Sequence, residues 1–169
     1  MKNKHMARRI AIAAMLTALT CVTTMIIKIP SPLKGYLNLG DSMVLLAGWT
    51  LSPLYGFLAA GLGSALADVL SGYVIYAPAT FIIKGLMALI CGYGYRLLCK
   101  KLGHLICYIT TGIVAQTFMV LGYFVFEGCL YGFAPSLVNI PANSIQAIAG
   151  LILGCVLMKV LEKSKISFQ

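Results

Sequence analysis

The chain consists of long apolar runs separated by short segments that contain glycine, proline or charged residues. A helix needs about 20 largely apolar residues to cross the hydrocarbon core of a bilayer. The lengths of these runs, and the breakers at their ends, predict six helices. Their approximate bounds are 10–27, 42–52, 54–72, 79–98, 104–126 and 140–161.

The stretch 42–67 fits either one helix or two. A single helix would extend about 39 Å at 1.5 Å per residue, whereas the hydrocarbon core is about 30 Å thick. Ser52-Pro53 lies near the middle, where proline disfavours a continuous helix. We therefore predict two helices. The first is too short to cross alone, so neighbouring protein must shield its end or the preceding loop.

Composition identifies the class of protein. The 169 residues are 60% hydrophobic and 10% charged, and the mean hydropathy is +0.94. Soluble domains average about 25% charged residues. A soluble fold could not bury this much apolar surface, so we predict one all-α integral membrane domain spanning 1–169.

The net charge of +9 reflects membrane topology, because the basic residues lie at the ends of apolar runs. A nucleic-acid partner would require a continuous basic face, so none is predicted. Six crossings place both termini in the cytoplasm, together with most of the basic residues, as the positive-inside rule prefers. No A-x-A cleavage site follows the first run, which is therefore interpreted as a retained span, the alternative being a signal peptide.

Three ionisable residues interrupt the apolar centre of the chain: Asp41, Asp68 and Lys84. A charge in the bilayer costs about 2.5–3.5 kcal/mol and usually serves binding or transport. Asp41 has a structural alternative, because it stands where a helix begins and could cap it. Asp68 and Lys84 fall at similar depths on neighbouring helices and could form an ion pair instead of lining a site.

The last helix carries an amide face, since Asn139, Asn143 and Gln146 follow helical spacing. Hydrogen bonding between helices is the alternative to a polar pocket. Glu127 opens an outer segment and is expected to be solvated. The candidate substrate-binding residues are Asn38, Asp41, Asp68, Tyr73, Thr80, Lys84, Asn139, Asn143 and Gln146.

Chemistry beyond binding has little support in the sequence. The six cysteines form no C-x-x-C pair, and the two histidines are far apart, so neither a metal site nor a cofactor is predicted. There is no phosphate-binding loop or nucleophile motif, so we predict no catalytic residues and no enzyme. A stand-alone membrane facilitator, and less favourably a small membrane enzyme, are the other classes considered.

Three segments carry a family resemblance: YLNLGDSMVLLAG, the run from GLGSALADVLSGY to YAPATFIIKG, and the small-residue pair Ala14 and Ala18. The chain resembles the substrate-binding S components of energy-coupling factor (ECF) vitamin transporters, of the riboflavin, hydroxymethylpyrimidine and pyridoxine type. The resemblance implies a six-helix protein of the bacterial plasma membrane. In such a protein the loop between the first two helices would cover a site on the extracellular side.

The resemblance also implies partners, namely a transmembrane coupling subunit and two cytoplasmic ATPases. Ala14 and Ala18 would dock on the coupling subunit, although close packing within this chain is the alternative for small residues. The candidate residues offer charges, amides and an aromatic face, which suit a small, flat, polar heterocycle. A pyridoxine- or hydroxymethylpyrimidine-like ligand is favoured, with riboflavin next.

Overall fold

The structure is a computed structural model that describes residues 2–31 and 35–164, with the backbone alone for 2–5. Seven α-helices, one 3-10 turn and one pair of short strands are present in these ranges. Their bounds are α1 Lys2–Ile26, β1 Ile29–Pro30, β2 Tyr36–Leu37, α2 Asp41–Thr50, α3 Pro53–Leu70, α4 Ala77–Leu102, α5 His104–Tyr131, α6 Phe133–Ser136, the 3-10 turn Leu137–Asn139 and α7 Ile140–Lys163.

The fold is helical, as the apolar runs predict, and five helices are long and apolar enough to cross a membrane. These spans are Met6–Ile26, Pro53–Leu70, Ala77–Leu102, His104–Tyr131 and Phe133–Lys163. Helix α2 has only 10 residues and is too short to cross a membrane. Six crossings with both termini in the cytoplasm therefore stay a prediction.

The helix break falls at Ser52-Pro53. Helix α2 ends at Thr50, Ser52 is extended, and Pro53 occupies the first turn of α3, where its missing N–H does no harm. Arg96 of α4 donates a hydrogen bond of 2.8 Å to the carbonyl oxygen of Leu51, just after the end of α2. This short helix is buried along nearly all of its length. A hydrogen bond from the neighbouring helix α4, and not from lipid or solvent, therefore satisfies the carbonyl group at the end of α2.

The structure differs from the predicted elements in two places, both at the end of the bundle opposite Arg96. The loop after α1 contains an antiparallel pair of strands, with Ile29 opposite Leu37 and Pro30 opposite Tyr36. Helix α5 also continues through Glu127 to Tyr131, where a loop was expected. The apolar residues after Gly128 extend the helix, and Gly132, with a φ of 94°, ends it in the left-handed region.

Small residues let the helices approach closely. Helix α3 packs between α1 and α4, and α2 is enclosed by α1, α3, α4 and α7. Large apolar side chains that remain exposed, such as Leu54, Leu97 and Ile145, point outward from all the long helices. Such an apolar exterior suits contact with lipid tails.

Replacing Gly48 by alanine is expected to destabilise the protein by about 1–3 kcal/mol, because the added methyl group overpacks the contact between α2 and α4. A β-carbon there would lie 2.6 Å from the Ala88 carbonyl oxygen and 2.8 Å from Cys91 Cβ. Gly154→Ala is the matched control, since its β-carbon would meet only side chains, the nearest at 3.3 Å. Thermal unfolding in detergent compares them, and equal melting temperatures would contradict the close contact.

Candidate functional site

A cavity lies at the end of the bundle that carries the β1–β2 hairpin. Its walls come from this hairpin, the end of α3, the start of α4, the late part of α5 and the early part of α7. The described lining residues are Ser31, Gly35, Tyr36, Asn38, Asp68, Tyr73, Tyr76, Thr80, Tyr123, Glu127, Asn143 and Gln146. The volume is about 30 Å³, room for about two water molecules. Polar groups and phenol rings therefore converge on a small, partly enclosed space.

Asp68 forms the acidic wall on α3. Its Oδ1 accepts a hydrogen bond of 2.7 Å from the Tyr36 hydroxyl, whereas no described residue donates a hydrogen bond of ordinary geometry to Oδ2. Burial, and after it the charge of Asp68, raises the pKa of Tyr36 above its ordinary value. The phenol therefore remains a donor at neutral pH, and the hairpin is tied to the last turn of α3.

Glu127 forms a second acidic wall on α5, and the expectation that it is solvated was wrong. Its side chain is buried, and its Oε1 accepts hydrogen bonds from Asn139 at 2.8 Å and from the Tyr76 hydroxyl at 3.4 Å. Its Oε2 has no hydrogen-bond donor among the described residues. Because α5 continues past this position, the carboxylate is held on a helix face that points into the bundle.

Aromatic rings cover the space between these two carboxylates. The Tyr36 and Tyr73 ring centroids are 4.7 Å apart, and Tyr73 and Tyr76 follow at 6.5 Å in an edge-on arrangement. On the α4–α5 side, the hydroxyls of Thr80 and Tyr123 are 3.0 Å apart. Phenol rings present flat apolar faces with a polar tip, which is the environment that suits a heteroaromatic ring.

Behind the cavity lining lies an ion pair between Lys84 and Asp41. Both side chains are almost completely buried. Asp41 Oδ2 accepts a hydrogen bond of 3.0 Å from Gln146 Nε2, and Gln146 Oε1 accepts one of 2.9 Å from the backbone N–H of Asn38. Two structural alternatives suggested by the sequence, a capping role for Asp41 and an ion pair between Asp68 and Lys84, are therefore not what the structure has. Lys84 pairs with Asp41 and not with Asp68, and both Asp41 oxygens are engaged by side chains of other helices.

Most of the predicted site residues border the cavity, although their role in binding stays a prediction. Those in the lining are Asn38, Asp68, Tyr73, Thr80, Asn143 and Gln146. The other predicted residues, Asp41, Lys84 and Asn139, lie behind it, where they hold lining side chains in place.

Sequence reasoning missed Tyr36, Tyr76, Tyr123 and Glu127. The signal for Glu127 was available, because it is an ionisable residue at the end of an apolar run, as Asp68 is. The three tyrosines carry no comparable signal, because tyrosine is common wherever an apolar helix meets water. Among the described residues, no three His, Cys, Asp or Glu side chains are grouped as metal ligands.

The small residues of α1 form part of a second candidate site, a surface groove outside the cavity. Ala14 and Ala18 are both exposed. They line a shallow apolar groove of about 580 Å³ between α1 and α3, whose other walls include Leu58, Leu62 and Leu66. The exposed stripe is therefore not filled by another helix of the described chain.

Comparisons with known proteins give one family model and two relatives, and the family model and one relative are named as transporters. The model of the ECF-type riboflavin transporter S component matches residues 4–163. A Lactococcus lactis subsp. cremoris protein named thiamine precursor transporter HmpT is 27% identical over 168 residues, which cover 98% of this chain and 94% of that one. A Pyrococcus woesei protein described as uncharacterized is 40% identical over 151 residues, covering 84% of this chain and 93% of its own. Matched over nearly its whole length, the chain belongs to the family of ECF-type riboflavin transporter S components.

Proposed function

We propose that the chain is the substrate-binding subunit of an ECF importer for a small, water-soluble nitrogen heterocycle, a vitamin or vitamin precursor of the pyridoxine or hydroxymethylpyrimidine type. The observation that carries the proposal is the cavity between Asp68, Glu127 and the tyrosine rings. It combines hydrogen-bond acceptors with aromatic faces, and small-molecule sites typically have this composition.

The size of the cavity favours a single ring. The enclosed volume of about 30 Å³ is small, so we expect the hairpin or the tyrosine rings to shift when a ligand binds. A single-ring ligand requires a smaller displacement than the three fused rings of riboflavin. The name of the relative HmpT, a thiamine precursor transporter, supports a pyrimidine. Riboflavin is the second candidate because the matching family model is named for it.

The charges support an orientation with the cavity facing outward. Arg96 lies at the end of the bundle opposite the hairpin, and Lys100, Lys101 and Lys163 occupy the last turns of α4 and α7. Basic residues concentrate on the cytoplasmic side. The hairpin and cavity then face the exterior of a bacterial plasma membrane, and α2 with its preceding hairpin completes the sixth crossing, which leaves both termini inside.

The partners are a transmembrane coupling subunit and two cytoplasmic ATPases. Support comes from the family and from the exposed groove beside Ala14 and Ala18, which leaves room for a helix of another subunit. This chain supplies the selectivity, and the ATPases supply the energy for uptake.

Uptake of labelled pyridoxine and hydroxymethylpyrimidine tests the proposal in cells that express this chain with or without the coupling subunit and ATPases of the same genome. We expect accumulation against a gradient only when all subunits are present and the ATPases are active. Equilibration by this chain alone would favour a facilitator. Chemical conversion of the compound by the purified chain would favour an enzyme.

A further inference from the structure

Two acidic side chains of the cavity each have an oxygen that no described residue serves. Asp68 and Glu127 are 5% and 2% exposed, so both are more than nine-tenths buried. Asp68 Oδ2 and Glu127 Oε2 have no donor that meets hydrogen-bond geometry among the described residues, although the Thr80 hydroxyl lies near the Asp68 carboxyl group. A buried carboxylate oxygen without a donor is costly, and both residues line the same space on different helices.

No cation among the described lining residues balances these carboxylates. Lys84 is the cation that the sequence suggested as a partner of Asp68, but it does not line the cavity and it pairs with Asp41. Lys28 lies at the rim, where its Nζ donates to Ser71 Oγ at 3.0 Å and is 6.0 Å from the centroid of the Tyr36 ring. The cavity is therefore rich in hydrogen-bond acceptors, and its aromatic faces also attract cations.

We propose, on the basis of the function inferred above, that the site selects heterocycles with an amino group or a protonated nitrogen. Their N–H groups donate to Asp68 Oδ2 and Glu127 Oε2, and the phenol ring of Tyr73 lies against the heterocycle. The same carboxylates repel a phosphate or carboxylate on the ligand. The protein accordingly takes up the unphosphorylated, amino-bearing form of a vitamin precursor.

A series of ligands with one ring and a changing substituent tests the selectivity on wild-type protein. Pyridoxamine, pyridoxine and pyridoxic acid carry an ammonium, a hydroxyl and a carboxylate at the same ring position. Aminohydroxymethylpyrimidine and its analogue without the amino group form a second series. Within whichever series binds, we expect the amino compound to bind roughly 10-fold or more tightly than the neutral one, as befits a charge-assisted hydrogen bond, and the acid not to bind.

Calorimetric titration of detergent-solubilised Asp68→Asn and Glu127→Gln proteins supplies the second arm. Each change keeps the side-chain shape but removes the negative charge, so we expect the preference for the amino compound to fall roughly 10-fold. Glu162→Gln is the matched control, since Glu162 contacts Tyr108 outside the cavity. It is expected to retain wild-type selectivity.

The outcomes separate the two proposals. If wild-type protein binds a heterocycle but prefers the neutral or acidic analogue, or if both variants keep the wild-type preference, the carboxylate assignment is overturned and the transport function stands. If wild-type protein binds none of these heterocycles or riboflavin, the proposed function fails as well. The wild-type ligand series remains decisive even if a variant does not fold.

Discussion

Replacing Lys84 by methionine is expected to lower the free energy of unfolding by about 3–5 kcal/mol, because it leaves the buried Asp41 carboxylate without its cation. Both partners are almost fully buried, so water cannot take over the role of the ammonium group. Asp41 also accepts from Gln146, which holds Asn38 of the hairpin segment. We therefore expect a drop in melting temperature of the order of 10 °C in detergent.

Lys159→Met is the matched control, because Lys159 is exposed on α7. It is expected to unfold within about 0.5 kcal/mol of wild type. The double variant Asp41→Asn, Lys84→Met removes both charges and is expected to recover much of the stability lost in the single variant. A single Lys84→Met protein as stable as the Lys159→Met protein would show that the ion pair does not stabilise the fold.

Replacing Ala14 and Ala18 together by tryptophan is expected to abolish uptake and co-purification with the coupling subunit. Two indole rings would fill the groove between α1 and α3 and prevent close approach of another helix. Neither alanine lines the cavity, so ligand affinity of the isolated chain is expected to remain unchanged. Affinity capture of the tagged variant from membranes that contain all subunits measures the loss.

Ala134→Trp is the control for added bulk, since Ala134 is exposed on α6 and lies outside this groove. It is expected to co-purify normally. An Ala14→Trp, Ala18→Trp protein that still captures the coupling subunit and supports uptake would mean that the docking surface lies elsewhere.

The helices and the break between α2 and α3 could be predicted because their signals are local. Apolar runs of membrane length are visible in the sequence, and Ser52-Pro53 interrupts one of them. Helix ends that depend on the surrounding structure were harder to predict from the sequence. Helix α5 continues past the expected boundary at Glu127 and through Gly128, and it ends at Gly132, which has a left-handed φ.

The partner of Lys84 could not be predicted from position along the chain. Asp68 and Lys84 lie at similar depths on consecutive helices, but similar depth does not determine which way a side chain points around the helix axis. The start of α2 is enclosed within the bundle, and this brings Asp41 to Lys84 from a different element. Such a long-range pairing depends on how α2 packs among four helices, for which the sequence has no periodic signal.

The candidate residues were found by residue type, and this explains both the matches and the omissions. Charged and amide side chains are rare in an apolar chain, so Asp68, Asn143 and Gln146 were evident candidates. Tyr36 and Tyr123 were not, because tyrosine also suits a membrane surface. Their place in the site follows from the hairpin and from the packing of α4 on α5, which only the three-dimensional structure provides.

Native mass spectrometry tests the central claim most directly, with wild-type protein and the Asp68→Asn, Glu127→Gln double variant each incubated with one mixture of water-soluble vitamins and their precursors. We predict that wild type retains one molecule of an amino-bearing, single-ring nitrogen heterocycle per chain. The double variant should lose it. No heterocycle retained by folded wild-type protein, or equal retention by the double variant, would contradict the assignment of this cavity as the substrate site.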